Sequence, residues 1–172
     1  FSGACNQGAE LARGKYLVFL NNDTLLTPNW LEPMIECAEK NASIGVVGNK
    51  HLFPDTNLLH HAGICFDNQL LNSHYLVGTT ADDPRVNYER EWQAVNGACF
   101  LVSKKLFDQV GRFDNSYKNG CEDVELCLRV RELGLKVLYT PKSCIYHFGQ
   151  RSPSRSANNQ RNMRLFLERW QN

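Results

Sequence analysis

Apolar positions along this chain recur with two different periods. Lys15–Leu20 is a short apolar run that stops at Asn21-Asn22-Asp23, and Ile44–Val47, Gly97–Val102, Leu135–Tyr139 and Cys144–His147 are further runs of strand length. Lys50–Phe53 reads as a continuation of the second run. Elsewhere the spacing is helical. Residues 3–13 predict a short helix ending near Gly14. Thr27 and Pro28 read as an N-cap and first-turn pair, after which Trp30, Leu31, Met34, Ile35 and Ala38 fall on one face, with Pro33 either kinking that helix or starting its regular part. Ser103 caps a short helix that stops at Gly111. Val124, Cys127, Leu128 and Arg131 share a face of a helix running from near Glu122 to Gly134, on which Glu125 and Arg129 form an i,i+4 pair. Met163, Phe166, Leu167 and Trp170 form the stripe of a last helix. Residues 54–90 read as irregular, with polar turns and short strands such as Gly63–Phe66, and 150–159 as a polar Ser/Arg/Asn loop expected to be mobile without ligand. Strands alternating with helices predict an α/β layered sheet, expected to be mainly parallel.

Composition narrows this picture. The 172 residues, 42% hydrophobic and 22% charged, predict one domain that buries about 70% of its unfolded surface. A net charge of +1 gives no reason to expect a nucleic-acid partner. No apolar run approaches the roughly 18 residues of a membrane span. Phe1-Ser2-Gly3-Ala4 has neither the basic nor the apolar region of a signal peptide, and a start at Phe predicts a piece of a longer protein. The seven cysteines form no CxxC pair and mostly sit inside apolar runs, so they read as buried thiols in a reducing, cytoplasmic compartment.

Candidate chemistry begins where the first strand ends. Asn21, Asn22 and Asp23 put hard oxygen donors at the carboxyl edge of a sheet, where open α/β sheets bind ligands, and such donors suit Mg²⁺ or Mn²⁺. The same residues also make ordinary turns. Glu122 and Asp123 open a helix; carboxylates there complement the helix dipole, and one facing a cleft can act as a general base. His147 ends a strand just before Gly149 and a polar loop, the place of a ligand, although a lone histidine is commonly structural. His60 and His61 are adjacent, so on a strand they point to opposite faces; they read as structural or solvated rather than as a zinc site. Arg151 and Arg155 are candidates for phosphate contact, whereas Arg161, Arg164 and Arg169 read as a solvated helix face. Trp92 is either core or a surface on which a sugar stacks.

Three segments together resemble family-2 glycosyltransferases of the GT-A fold. They are CNQGAELARGKYLVFLNNDT, then VNGACFLVSKKLFDQVGRFDNSYKNGCEDVELCLRVRELGLKVLYTP with its G-x-F-D turn and E-D pair, and IYHFGQRS. The resemblance implies a three-layer sheet with helices on both faces, and inverting transfer of a sugar from a nucleotide-diphosphate donor to an acceptor hydroxyl. It implies that Asp23, with Asn21 in the place of a first aspartate and His147 closing the set, binds Mg²⁺ or Mn²⁺ with the diphosphate. Asn22, Arg151 and Arg155 then face the donor. Asp123 stands as the catalytic base, Glu122 orients it or the acceptor, and Gly97, Ala98 and Trp92 line the acceptor side. The resemblance implies as acceptor a glycan or other hydroxyl compound, as in bacterial-type polysaccharide synthesis.

In that family, strands that bind the nucleotide base precede the segment matching Asn21–Asp23, and here only twenty residues do. The resemblance therefore implies one partial domain over residues 1–172 whose N-terminal nucleotide-binding unit is truncated. Its parts would be a metal-site strand 15–24, an acceptor and catalytic segment 92–149, and a C-terminal loop and helix 150–172. Such a fragment would expose a sheet edge able to pair with a second copy, and its parent would associate peripherally with the cytoplasmic face of a membrane. Two other readings stand beside it. One is a truncated transferase fold acting as a structural or protein-binding module, of which retained Asp23, Asp123 and His147 speak against the parent being non-catalytic. The other is a nucleotidyltransferase, which would want a Gly-rich phosphate loop that is not seen.

Overall fold

Period-2 alternation in two central strands sorts the chain into layers. The computed structural model describes residues 1–68, 72–149 and 155–171. In chain order the elements are α1 (Ser2–Leu11), β1 (Tyr16–Leu20), β2 (Thr24–Leu26), α2 (Glu32–Glu39), β3 (Ile44–Leu52), β4 (Leu59–His61), β5 (Ile64–Phe66), β6 (Asn72–His74), β7 (Arg90–Trp92), β8 (Cys99–Ser103), α3 (Lys104–Gln109), α4 (Glu122–Glu132), β9 (Lys136–His147) and α5 (Arg155–Trp170). On β8, Cys99 and Leu101 face one way, packing with Val47, Ile145 and the α2 residues Met34 and Cys37. Phe100 and Val102 face the other way, packing with Leu17, Phe19, Val46 and Val137 against residues of α1, α3, α4 and α5. The result is a sheet with helices on both faces.

The main sheet runs β1-β8-β3-β9-β2, with β4 on β3 and β7 on β9. Only the β3–β9 pair is parallel; β1–β8, β3–β8, β3–β4, β2–β9 and β7–β9 are antiparallel. The expected mainly parallel sheet is thus a mixed one. Strand–helix alternation does not report strand direction, and here several sequence neighbours return as short hairpin-like partners. β1 ends the sheet, and its outer edge has no partner among the described residues.

Three local departures from the expected elements shape the site. β2 was not expected: Thr24, Leu25 and Leu26 pair with His147, Tyr146 and Ile145, too short a run to carry a period. The helix expected from Thr27 begins only at Glu32, with Pro33 in its first turn. Thr27 Oγ1 donates to the Cys144 carbonyl instead of capping (2.7 Å), and Asn29 adopts a left-handed φ of 57°. Finally, the runs ending at Tyr139 and starting at Cys144 are one strand. Its register on β3 jumps from Asn49↔Thr140 to Lys50↔Cys144, a bulge that takes up Pro141, which has no N–H to give the ladder.

The last helix also begins earlier than its stripe. Residues 155–159 of the expected loop are its first turns, a propagation from the amphipathic part. Residues 150–154, and with them Arg151 and the rest of the loop expected to be mobile, lie outside the described residues. Of the arginines expected on a solvated face, Arg164 pairs with exposed Glu168, but Arg161 donates to the Ser116 carbonyl (2.6 Å) and Arg169 pairs with buried Glu125 (2.9 Å). All seven cysteines are free thiols. Cys37, Cys99 and Cys127 are fully buried, and burial pushes their thiols up to about 11, 12 and 12. Among the described residues no helix is long and apolar enough to cross a membrane.

Candidate active site

One cleft collects residues from four parts of the chain. It is lined by Asn21 after β1, by Asn96, Gly97 and Ala98 before β8, by Asn119, Gly120, Glu122 and Asp123 at the start of α4, and by His147 at the end of β9, with Phe1 at its rim. Each wall has a local cause.

The α4 wall rests on a turn of unusual backbone. Asn119, Gly120 and Cys121 have successive positive φ values of 55°, 157° and 72°. Left-handed residues other than glycine cost about 1–3 kcal/mol each, so the surroundings must hold them. Asn162 of α5, fully buried, does so with a two-bond clasp: its Oδ1 accepts the Lys118 N–H and its Nδ2 donates to the Lys118 carbonyl, both at 3.0 Å. Glu122 Oε2 accepts the Gly120 N–H at 2.5 Å. The chain then enters α4 with Asp123 over Gly97. Asp123 Oδ2 accepts the Gly97 N–H (2.6 Å) and Oδ1 the Val124 N–H (2.8 Å). A side chain at position 97 would meet the Asp123 Cβ at 2.8 Å, so the close approach requires glycine there. Glu122 is buried, and its carboxyl lies above the usual range, first from burial and then from the charge of Asp123.

Deeper in α4 a buried ion pair fixes the preceding turn. Arg129 bonds Glu125 (2.6 Å) and donates to the carbonyls of Val110 and Arg112, flanking the Gly111-Arg112 turn where both φ values are positive. The expected i,i+4 pair is therefore a buried clamp rather than a surface contact. Asn6 of α1 holds the other side of that turn through both backbone groups of Phe113.

At the β9 wall, β2 brings Asp23 to His147, although Asp23 itself is not among the residues that line the cleft. The Phe148 N–H donates to the Asp23 carbonyl (2.9 Å), and Asp23 Oδ1 lies 3.4 Å from His147 Nε2. That carboxylate oxygen is buried without a hydrogen bond among the described residues. A buried carboxylate oxygen left unsatisfied beside an imidazole is costly unless a cation or proton donor meets it. The donor set of carboxylate oxygen, imidazole nitrogen and the nearby Asn21 fits a divalent ion. Asn22 is exposed at the same turn, and Arg155 opens α5.

Trp92 stands apart from the cleft. It packs over Gly63, meets the Tyr75 ring at a tilt of 49° with centroids 4.8 Å apart, and takes the Arg90 guanidinium on its face. The expectation that it lines the acceptor side gives way to packing in the cluster around Leu59 and Tyr139.

One further grouping has no counterpart in the sequence pattern. The five histidines, drawn from β3, β4, β6 and β9, lie together. His61 Nδ1 is 2.9 Å from His74 Nδ1, His147 Nδ1 is 3.4 Å from His60 Nδ1, and the His51 and His61 rings are 5.0 Å apart. His61 is buried rather than solvated, and its Nε2 accepts the Asn96 N–H (3.2 Å), which ties the cluster to the cleft wall. Burial, then the neighbouring imidazoles, hold His51 and His61 well below the usual histidine range. No sequence signal links residues this far apart; only the register of β3 with β4 and β9 does.

Comparison with known proteins agrees with this architecture. The profile described as "Glycosyltransferase like family 2" matches residues 1–170. The chain is 32% identical over 148 residues to the O-antigen biosynthesis protein RfbC of Myxococcus xanthus, covering 83% of this chain and 12% of that protein. Among solved structures it superposes on GalNAc-T7 with UDP, GalNAc and Mn²⁺ with a TM-score of 0.68 at 19% identity, covering 99% of this chain and 35% of that one. It superposes on the mannosyltransferase PcManGT of Pyrobaculum calidifontis with GDP-Man and Mn²⁺ with a TM-score of 0.58 at 13% identity, covering 94% and 40%. The chain thus spans well under half the length of each of these proteins, and shares with the two solved structures the GT-A fold. With a profile match along nearly its whole length, this chain belongs to glycosyltransferase-like family 2.

Proposed function

We propose that this chain carries the metal-site and acceptor parts of an inverting glycosyltransferase that moves a sugar from a nucleotide-diphosphate donor to a hydroxyl of a glycan acceptor. The observation that carries this reading is the pairing of two unlike walls on one cleft. Asp123, held by two backbone N–H groups, stands on one. His147, with Asp23 Oδ1 3.4 Å away, stands on the other. The likeness to structures holding Mn²⁺ with UDP or a nucleotide sugar supports a divalent cation, and RfbC supports a polysaccharide context.

Asn21, Asp23 and His147 are the residues that would hold the cation, which when bound neutralises charge on a leaving diphosphate. The work of the chain's own groups follows from their geometry. The Gly97 and Val124 N–H groups each occupy one lone pair of an Asp123 oxygen, so each oxygen keeps capacity for a further proton. Asp123 can therefore accept the proton of an acceptor hydroxyl as it attacks the sugar carbon from the face opposite the diphosphate, which gives inversion. Glu122, raised above the usual carboxyl range and bonded to Gly120, fixes the turn that presents Asp123. Gly97 and Ala98 leave the floor beneath the acceptor open.

The test is turnover and product stereochemistry. Asp123→Asn keeps the shape but not the basicity, and is expected to lower kcat by about 10²–10⁴. The product of the unaltered enzyme should carry the anomeric configuration opposite to that of the donor, read by NMR. Near-normal turnover by the variant, or retention of configuration, would remove Asp123 as the base.

A further inference from the structure

Behind His147 a relay of hydrogen bonds fixes the protonation of a buried imidazole. The Trp30 carbonyl can only accept, so the Ser143 hydroxyl 2.5 Å away donates to it. Ser143 Oγ in turn accepts from Asn49 Nδ2 at 3.0 Å. That orients the Asn49 amide with its Oδ1 toward His51 Nε2, 2.9 Å away. An amide oxygen only accepts, so Nε2 of His51 carries the proton and Nδ1 is a bare lone pair. Ser143 reaches Asn49 because it sits in the β9 bulge, which re-aims a side chain. His51 is fully buried, and its Nδ1 makes no hydrogen bond among the described residues.

One ring nitrogen from each of His51, His60 and His147 lies within 4.8 Å of the other two. We propose that these three imidazoles form a binding site for a single late first-row divalent cation such as Zn²⁺, occupied without any nucleotide. The site goes beyond the transferase reading and does not depend on it. The distances suit the ion. Tetrahedral Zn²⁺ with bonds of about 2.0–2.1 Å sets its nitrogen ligands about 3.4 Å apart. The Nδ1 atoms of His60 and His147 are already 3.4 Å apart, and closing the remaining gaps takes movements of about 1 Å on the same bond lengths. Three imidazoles favour zinc and its neighbours over Mg²⁺, which demands oxygen.

The outer contacts have the polarity such a site requires. Metal-bound histidines usually donate their second N–H to a carboxylate or carbonyl. Asn49 Oδ1 serves His51 in this way. With His147 bound through Nδ1, its Nε2–H points at Asp23 Oδ1, the buried oxygen that otherwise lacks a hydrogen bond. A neutral imidazole has one lone pair, so His147 serves either this cation or one on the Asp23 side at a given moment.

Isothermal titration of the nucleotide-free protein with Zn²⁺, and with Mg²⁺ as control, tests the site. One equivalent of Zn²⁺ should bind and Mg²⁺ should give no saturable heat. His60→Gln, at a half-buried position, should abolish the Zn²⁺ isotherm while thermal melting shows a folded protein; His51→Gln should do the same where it folds. Asp23→Asn removes only an outer contact and should weaken Zn²⁺ by roughly 10–100-fold. The proposal is overturned by a folded protein that does not bind Zn²⁺ or that binds it equally well as His60→Gln. It is overturned too if Asp23→Asn abolishes the isotherm while His60→Gln keeps it, since that result places the ion on the carboxylate side and leaves the donor-site reading intact.

Discussion

A methyl group at position 97 would sit 2.8 Å from the Asp123 Cβ and 3.0 Å from its Oδ2, closer than side-chain carbons pack. Gly97→Ala must therefore displace the carboxylate assigned as the base. The expected result is a stability loss of about 1–3 kcal/mol in urea unfolding, from overpacking, together with reduced turnover. Glu122 carries a different signature. Its carboxyl lies above the usual range because of burial and then Asp123. A carboxyl raised in the folded state binds more protons there than in the unfolded chain, so it costs stability above its folded pKa and that cost fades as pH falls toward the ordinary carboxyl range. Glu122→Gln keeps an acceptor for the Gly120 N–H. It should raise the melting temperature at neutral and alkaline pH, with the gain shrinking as the solution is acidified; a gain that grows on acidification would contradict the buried, raised carboxyl. Both positions were readable in the sequence, as an E-D pair opening a helix and a glycine at the start of an apolar run. What could not be read was that the glycine lies directly beneath the aspartate, since the two are 26 positions apart.

Elements position these residues through side chains that have no motif. Asn162 looks like one polar residue among many on the last helix, yet it clasps both backbone groups of Lys118 from a fully buried position. Asn162→Ala removes both hydrogen bonds to the part-buried Lys118 backbone beside a turn of three positive-φ residues. A loss of about 0.5–1.5 kcal/mol for each lost bond is expected in chemical denaturation. Unchanged stability would mean the turn holds itself. The Ser103 cap, the short helix after it and the i,i+4 pair of α4 were legible because their signals are local. β2 and the start of α2 were not, because both are decided by β9, more than a hundred residues away, through the Thr24–Leu26 ladder and the Thr27 bond to Cys144. The β9 bulge hid a single strand behind Pro141 for the same reason.

At the scale of the molecule, the alternation of strand-length runs with helical segments foretold a layered sheet, and the order of the three matching segments foretold the family. Strand direction was not foretold, and neither was the gathering of five histidines, which depends on β4 folding back on β3 beside β9. The two walls of the cleft have separate tasks in the proposed mechanism: His147, with Asp23 beside it, for the diphosphate, and Asp123 over Gly97 for the acceptor proton. Calorimetric titration of a nucleoside diphosphate in Mn²⁺, on Asp23→Asn and Asp123→Asn of the protein as it occurs at full length, tests that division most directly. Asp123→Asn should bind with nearly the affinity of the unaltered protein, and Asp23→Asn should lose the Mn²⁺-dependent part of binding. Equal loss in both variants, or Mn²⁺-dependent binding that survives Asp23→Asn, would contradict the assignment of the two walls.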